Sequence, residues 1–193
     1  NCWAFNNGLG EKGEKLGDGN GFKAGGYGSL PAERLPNPIP RHVIRGCLAV
    51  SNRAHGLYAN HHPGGSDWYN NTAFHNGTNF SMLGRLMDNR TDIPGTGHRL
   101  RNNLSYGSRS LIADFDVAHA EADHNSFTPD LALTDRDFVS LDEAQLLQPR
   151  QADGSLPTIT FLHLAAGSAL VDAGVDVGLP FHGAKPDLGA FEH

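Results

Sequence analysis

NNTAFHN, residues 70–76, decides the fold, because the same pattern returns elsewhere along the chain. The other copies are NCWAFNN (1–7), GCLAVSN (46–52) and NNLSYGS (102–108), and HNSF (124–127) begins a fifth. A second short element follows each full copy: GFKAGG (21–26), GLYANH (56–61), NFSML (79–83) and SLIADF (110–115). The repeating unit is therefore a strand, a turn and a second strand.

When the copies are aligned, residues of similar character fall into columns. Small residues form one column and larger apolar residues form another: Ala4, Ala49, Ala73 and Ser105, then Phe22, Leu57, Phe80 and Leu111. Successive copies are roughly 22 to 32 residues apart once inserted loops are allowed for, which is near the length of one β-helix coil. Helical repeats would instead show a 3.6-residue periodicity. The sequence therefore predicts an all-β parallel solenoid.

The recurring asparagines are interpreted as structural. Asparagine tolerates left-handed backbone geometry at corners and can hydrogen-bond to the equivalent asparagine one coil away. Two insertions, 8–18 and 27–41, are rich in Gly, Pro and charge, and such loops often line the binding face of a solenoid.

We expect a single domain over residues 1–193, with coils and inserted loops in 1–127 and a C-terminal cap and tail in 128–193. SLDEAQLL (140–147) predicts a short helix with Ser140 as N-cap and Glu143 completing a capping box. The tail is expected to pack back along the coils and to cover exposed core and strand edges. Because the chain starts abruptly inside a coil, we also expect that N-terminal coils are missing from this sequence or come from a partner chain.

Composition excludes some functions. The formal charge of −6 and the isoelectric point near 6.0 give no general basis for binding nucleic acid by counterion release. No run of 18 apolar residues is present, so we expect no membrane span. Cys2 and Cys47 share one template position in successive coils, and stacked buried thiols are favoured over a disulfide.

DGNGFKAGG (18–26) is the sharpest local signal, because glycines surround a single lysine at a strand position. The order of Gly and Lys does not match a phosphate-binding P-loop. Lys23 follows the inward Phe22, so strand alternation turns its side chain outward, into a groove formed with neighbouring loops. The alternative interpretation is an ordinary solvated surface lysine.

Five segments together resemble the family 9 polysaccharide lyases, the pectate-lyase-like right-handed parallel β-helix enzymes: NCWAFNNG, DGNGFKAGG, HVIRGCLAVSNRAHGLYANH, NNTAFHNGTNF and PDLGAFE. The resemblance covers most of the chain. It implies that Lys23 is the general base that abstracts the C5 proton of a galacturonosyl unit and starts β-elimination. A neutral amine can take this proton whereas an ammonium cannot.

The resemblance also implies calcium, which in that family is held by a cluster of aspartates and neutralises the substrate carboxylate. This chain departs from the pattern, because Asp18 is the sole carboxylate in the lysine motif and the aspartate cluster is missing. Asp18 is therefore the one candidate metal ligand.

Four further residues are candidates for substrate contact. Asn20 and Asn60 could hydrogen-bond sugar hydroxyls or belong to an asparagine ladder. Arg53, like other arginines at coil edges, could pair with uronate carboxylates or form ordinary salt bridges. His61 could contact the substrate or pack within its loop.

The leading hypothesis is a calcium-assisted lyase that cleaves pectate or a related polyuronate, with an acidic polysaccharide as partner and a secreted or periplasmic location. The alternative is a non-catalytic polysaccharide-binding or structural β-helix, because the acidic cluster is absent and fold alone does not establish catalysis. A hydrolase would need paired carboxylates across the groove, for which Asp114 and Asp116 are the candidates.

Overall fold

The computed structural model describes residues 1–129 and 131–193. Its backbone winds through short strands that pair in parallel with the equivalent strands of the coils above and below. Each full coil contributes one strand to each of three four-stranded sheets. The prediction of an all-β parallel β-helix is confirmed.

The three sheets are called sheet 1, sheet 2 and sheet 3. Sheet 1 contains β1 (Cys2–Phe5), β4 (Cys47–Val50), β7 (Thr72–Phe74) and β12 (Leu104–Tyr106). Sheet 2 contains β2 (Phe22–Lys23), β5 (His55–Tyr58), β8 (Thr78–Ser81) and β13 (Ile112–Ala113). Sheet 3 contains β3 (His42–Arg45), β6 (Ser66–Tyr69), β11 (Arg99–Arg101) and β14 (Glu121–Asp123). A hairpin of β9 (Leu83–Arg85) and β10 (Asp92–Pro94) projects after β8.

The strand registers reproduce the first predicted column and correct one member of the second. Ala4 pairs with Ala49, Ala49 with Ala73, and Ala73 with Ser105. Phe22, Leu57 and Phe80 also stack as expected, but Phe80 pairs with Ile112 rather than Leu111. The turn before β13 is one residue longer than the sequence alignment assumed.

Buried asparagines form two ladders, which confirms their structural interpretation. In one ladder the amide nitrogen of Asn71 donates to Asn103 Oδ1 at 2.9 Å, and that of Asn103 donates to Asn125 Oδ1 at 2.8 Å. The second ladder links Asn7, Asn52, Asn76 and Asn79 through bonds of 2.7, 2.8 and 2.9 Å. Asparagine also occupies left-handed corners before β7 and β12, with φ of 50° at Asn70 and 57° at Asn102.

Two apolar clusters stabilise the solenoid. The interior contains Trp68, Phe80 and Leu100, each fully buried. The outer face of sheet 1 is also apolar, and residues of the C-terminal region such as Phe161 and Leu170 cover it. The tail thus packs along the solenoid as expected.

The C-terminal region contains 3₁₀ helices at Asp135–Asp137 and Glu143–Leu147; two others lie at Ala32–Arg34 and Val117–His119. The predicted short helix therefore exists, but its capping was wrong. Asp142, not Ser140, is the N-cap of Glu143–Leu147, and its carboxylate accepts from the Ala144 N–H. Glu143 instead accepts from the Ser51 hydroxyl at 2.7 Å, so its side chain joins the tail to a coil corner.

Cys2 and Cys47 are Cα partners in neighbouring strands, and both thiols are free. The thiols are stacked and not joined, as expected, but the prediction that both are buried was wrong for Cys2, which is exposed because β1 is the edge strand of sheet 1. Among the described residues, no helix combines the length and the apolar character needed to cross a bilayer.

Candidate active site

Lys23 ends β2 on the outer face of sheet 2, where its side chain is 43% exposed. Phe22 packs against the interior cluster, so alternation along the strand turns the next side chain outward. The Lys23 ammonium nitrogen lies 3.0 Å from Asp18 Oδ2, in a salt bridge within the same motif.

The glycines around Lys23 are explained by the next coil. A side chain at Gly21 would place its Cβ 2.6 Å from the carbonyl oxygen of Gly56, and one at Gly25 would meet Asn60 at 2.2 Å. Both distances are far inside van der Waals contact, so backbone packing between coils demands glycine here. The motif thus positions Lys23 by pressing its strand tightly against β5.

Lys23 opens onto a cleft of about 400 Å³. All six residues predicted from the sequence as candidates for the lyase site line this cleft: Asp18, Asn20, Lys23, Arg53, Asn60 and His61. His55 and Tyr58, which the sequence analysis did not select, line it as well. We call it the lysine cleft.

Three buried polar atoms lining the lysine cleft have no hydrogen-bond partner among the described residues. They are Asn20 Oδ1, Arg53 Nε and His55 Nδ1. Buried polar groups in native proteins are nearly always hydrogen-bonded, and an unpaired one costs about 1–3 kcal/mol. Three residues of the cleft lining thus each carry a buried polar atom whose hydrogen-bonding capacity is not used by the described residues.

Arg53 is engaged with the motif loop. Its Nη2 donates to the carbonyl oxygen of Gly17 and, at 2.9 Å, to that of Asp18. This contact fixes the backbone that carries the Asp18 carboxylate opposite Lys23. No salt bridge from Arg53 to a carboxylate is formed within residues 1–129 and 131–193.

Asn20 and Asn60 belong to neither asparagine ladder. Asn20 precedes β2, and Asn60 lies at the corner after β5 with φ of 49°. Left-handed geometry also continues through His61, with φ of 61°. Asn60 and His61, at this corner, both line the cleft. The ladder positions are occupied by other asparagines.

Tyr58 is the neighbour of Lys23 in the next coil, since the two are Cα partners. Its hydroxyl lies 3.4 Å from His61 Nε2, and the same nitrogen lies 3.4 Å from Asp92 Oδ1. Arg85 Nε donates to that carboxylate oxygen at 2.7 Å. A polar chain therefore runs from the β9–β10 hairpin to the cleft.

The groups in this chain carry the charges expected from their surroundings. Burial, reinforced by the Asp92 carboxylate, raises the pKa of Tyr58 above its ordinary value. Burial, followed by the Arg85 cation, lowers the pKa of His61. The hydrogen bond from Arg85 lowers the pKa of Asp92. Near neutral pH this polar chain therefore consists of a neutral Tyr58 phenol, a neutral His61 imidazole and the Asp92–Arg85 carboxylate–guanidinium pair.

The residues present do not fit a calcium site. Calcium takes six to eight oxygen ligands, whereas Asp18 is 75% exposed and its carboxylate faces an ammonium group. Nowhere in residues 1–129 or 131–193 do three His, Cys, Asp or Glu side chains come together as metal ligands. Asp18 could supply one ligand at most.

Asp114 and Asp116, the candidates for a hydrolase pair, are each engaged with a neighbouring residue. Asp114 accepts from the Ser81 hydroxyl at 3.1 Å. Asp116 caps the 3₁₀ helix Val117–His119 and pairs with His119 at 2.8 Å. Both carboxylates therefore have local structural partners.

Fold and cleft together define a parallel β-helix protein with a lysine-centred polar cleft on one sheet. A family model described as "Pel9A-like, right handed beta helix region" matches residues 1–103, and the chain belongs to this family. The resemblance found in the sequence and the right-handed form of the β-helix are thereby confirmed.

Curated relatives and solved structures agree with this assignment. Pectate lyase L of Dickeya dadantii (strain 3937) is 34% identical over 195 residues, covering 100% of this chain and 41% of the relative. A structure named rhamnogalacturonan lyase is 41% identical, with a TM-score of 0.76 over 86% of this chain and 41% of that one. The crystal structure of pectate lyase Pel9A is 32% identical, with a TM-score of 0.77 over 98% of this chain and 43% of that one. The chain thus spans about 41% of the length of the Dickeya relative.

Proposed function

We propose that the lysine cleft binds an acidic polysaccharide, pectate or a related galacturonate-containing polymer, and that Lys23 is the base of a β-elimination. The observation that carries the proposal is an outward lysine in a cleft where Asn20 Oδ1, Arg53 Nε and His55 Nδ1 are unpaired. Membership of the Pel9A-like family supports it, as do relatives named pectate lyase and rhamnogalacturonan lyase.

In the proposed reaction, the neutral Lys23 amine takes the proton on C5 of a uronate unit. The C5–H electron pair forms the C4–C5 double bond, the C4–O bond breaks, and the leaving oxygen takes a proton. Asn20 and Asn60 donate to or accept from sugar hydroxyls, and His61 contacts the adjoining unit. Arg53 positions the Asp18 loop through its carbonyl contacts.

Calcium, when bound, would neutralise the substrate carboxylate and so favour loss of the C5 proton. No step is assigned to it here, because the described residues do not supply its ligand set. Asp18 is proposed as the one carboxylate from this chain that could approach such an ion. We further propose that residues 1–127 form the working solenoid and 128–193 its cover, and that the protein acts outside the cytoplasm, where the polymer occurs.

The second candidate function is non-catalytic binding of the same polymer. It is favoured by the salt bridge between Lys23 and Asp18, in which the lysine nitrogen already has a carboxylate partner 3.0 Å away. Both functions use the same cleft and differ in whether a bond is broken.

The test is formation of the unsaturated product, followed by ultraviolet absorbance, when the protein is incubated with polygalacturonate and calcium. Lys23→Arg keeps the positive charge but removes a base that can lose its proton near neutral pH. We expect a fall of at least ~100-fold in kcat. The matched control is Lys15→Arg, an exposed lysine outside the cleft. Equal activity of Lys23→Arg and wild type would remove Lys23 as the base, and binding without product would favour the second function.

A further inference from the structure

The lysine cleft continues beyond Asn60 and His61 into a second compartment of about 370 Å³. Asn60 and His61 line both spaces, so they form the boundary between them. Residues 26–30, at the start of the insertion 27–41, form the far wall. The volume lies within the ~300–1,000 Å³ range of small-molecule sites.

The two compartments differ in charge. The lysine cleft is lined by Lys23, Arg53 and Asp18, whereas no Lys, Arg, Asp or Glu lines the second compartment. His61, on the boundary, has its pKa lowered by burial and is therefore a neutral imidazole near neutral pH. A carboxylate placed in the second compartment would lose water without gaining a cationic partner, which is costly.

An uncharged sugar unit fits the groups that are present. The Tyr27 ring offers an apolar face, and Leu30 extends the apolar wall. Ser29 and Asn60 can exchange hydrogen bonds with sugar hydroxyls. The second compartment should therefore bind an uncharged sugar unit more tightly than a uronate, because its lining offers a carboxylate no cationic partner.

The far wall is held in place by His62, which is buried. Its Nδ1 lies 2.8 Å from the carbonyl oxygen of Gly26, and its Nε2 lies 2.8 Å from that of Pro40. Gly26 immediately precedes the insertion 27–41 and Pro40 lies near its end, so one ring ties both ends of the loop together.

We propose that the second compartment is a subsite for an uncharged sugar unit next to the uronate at Lys23. The preferred polymer then places an acidic unit beside an uncharged one, which is either a neutral sugar or a uronate whose carboxyl group is methyl-esterified. The placement of the uronate at Lys23 depends on the proposed function. The uncharged lining of the second compartment is independent of it.

The test is calorimetric binding of oligosaccharides of equal length to the Lys23→Ala protein, in which turnover is removed. The probes are an all-galacturonate chain, an alternating galacturonate–rhamnose chain and a partially methyl-esterified galacturonate chain. We expect one or both chains with uncharged units to bind about tenfold more tightly than the all-galacturonate chain. Which of them does so identifies the source of the uncharged unit.

Leu30→Arg places a cation in the far wall and is expected to reverse the preference toward the all-galacturonate chain. The matched control is Leu16→Arg, an exposed leucine on the other insertion, outside both compartments. Equal or tighter binding of the all-galacturonate chain before substitution, or an unchanged preference in Leu30→Arg, would overturn the subsite. Loss of turnover in Lys23→Arg is scored separately, so the subsite can fail while the proposed function stands; absence of binding by every probe would overturn both.

Discussion

Asn103 gives the sharpest test of how the coils are held together. Its side chain is fully buried and makes four hydrogen bonds: it accepts from the backbone N–H and the amide of Asn71, and donates to Trp68 O and Asn125 Oδ1. Asn103→Ala removes all of them and leaves the Asn71 N–H without its acceptor. At about 1 kcal/mol net for each bond, with an added penalty for the unsatisfied donor, the free energy of unfolding should fall by ~4–5 kcal/mol.

That loss would be a large part of the total stability, since domains are typically stable by ~5–15 kcal/mol. The assay is urea unfolding followed by circular dichroism, with the exposed Asn1→Ala as the control variant. The control should change stability by less than ~0.5 kcal/mol. A fall below about 1 kcal/mol in Asn103→Ala would refute the argument that the ladder stabilises coil stacking.

Three further predictions concern folding and the loop beside the cleft. Burial, followed by the charges of nearby cations, lowers the pKa of His98 from 6.5 to about 4. Because the unfolded state takes the proton first, the contribution of His98 to stability should be fully present above pH ~6.5 and fall by roughly 3 kcal/mol down to pH ~4. His98→Asn, measured by urea unfolding at each pH, should reduce the loss of stability over this range by about that amount, and an unchanged pH dependence would contradict the burial of a neutral imidazole. His62→Asn should expose the insertion 27–41 to limited proteolysis, because the His62 ring contacts the carbonyl oxygens of Gly26 and Pro40. A cleavage rate equal to that of wild type would contradict this role of the ring. Gly21→Ala should destabilise the fold by ~2 kcal/mol or more in urea unfolding, because its Cβ would lie 2.6 Å from a neighbouring carbonyl oxygen; an unchanged midpoint would contradict the close packing of β2 on β5.

The fold was readable from sequence where each coil repeats the same local chemistry. The column of Ala4, Ala49, Ala73 and Ser105 was predicted because all four copies of the template are seven residues long. The sequence alignment placed Leu111 at the position that Ile112 occupies, because the preceding turn changes length and the residue pattern does not predict that change. The burial of the outer face of sheet 1 could also have been predicted. Runs such as CLAV are apolar at every position, and this pattern predicts a strand that is buried on both faces.

The position of the candidate site was predictable from the sequence, but the contacts between its residues were not. The DGNGFKAGG motif predicted Lys23, and repetition of the strand would have predicted Tyr58, which follows inward Leu57 as Lys23 follows inward Phe22. Contacts made by the β9–β10 hairpin, such as that of Asp92 with His61, depend on a loop path that no periodicity encodes. The use of Arg53 on backbone carbonyls likewise depends on the conformation of the first insertion.

The central claim is that the amine at position 23 removes the C5 proton of a uronate, and chemical rescue tests it most directly. Lys23→Ala should lose at least ~100-fold in turnover of a galacturonate polymer, and added small primary amines should restore part of that turnover in proportion to the concentration of neutral amine. Lys23→Ala turning over at the wild-type rate, or losing activity that no amine restores while polymer binding is intact, would contradict the claim.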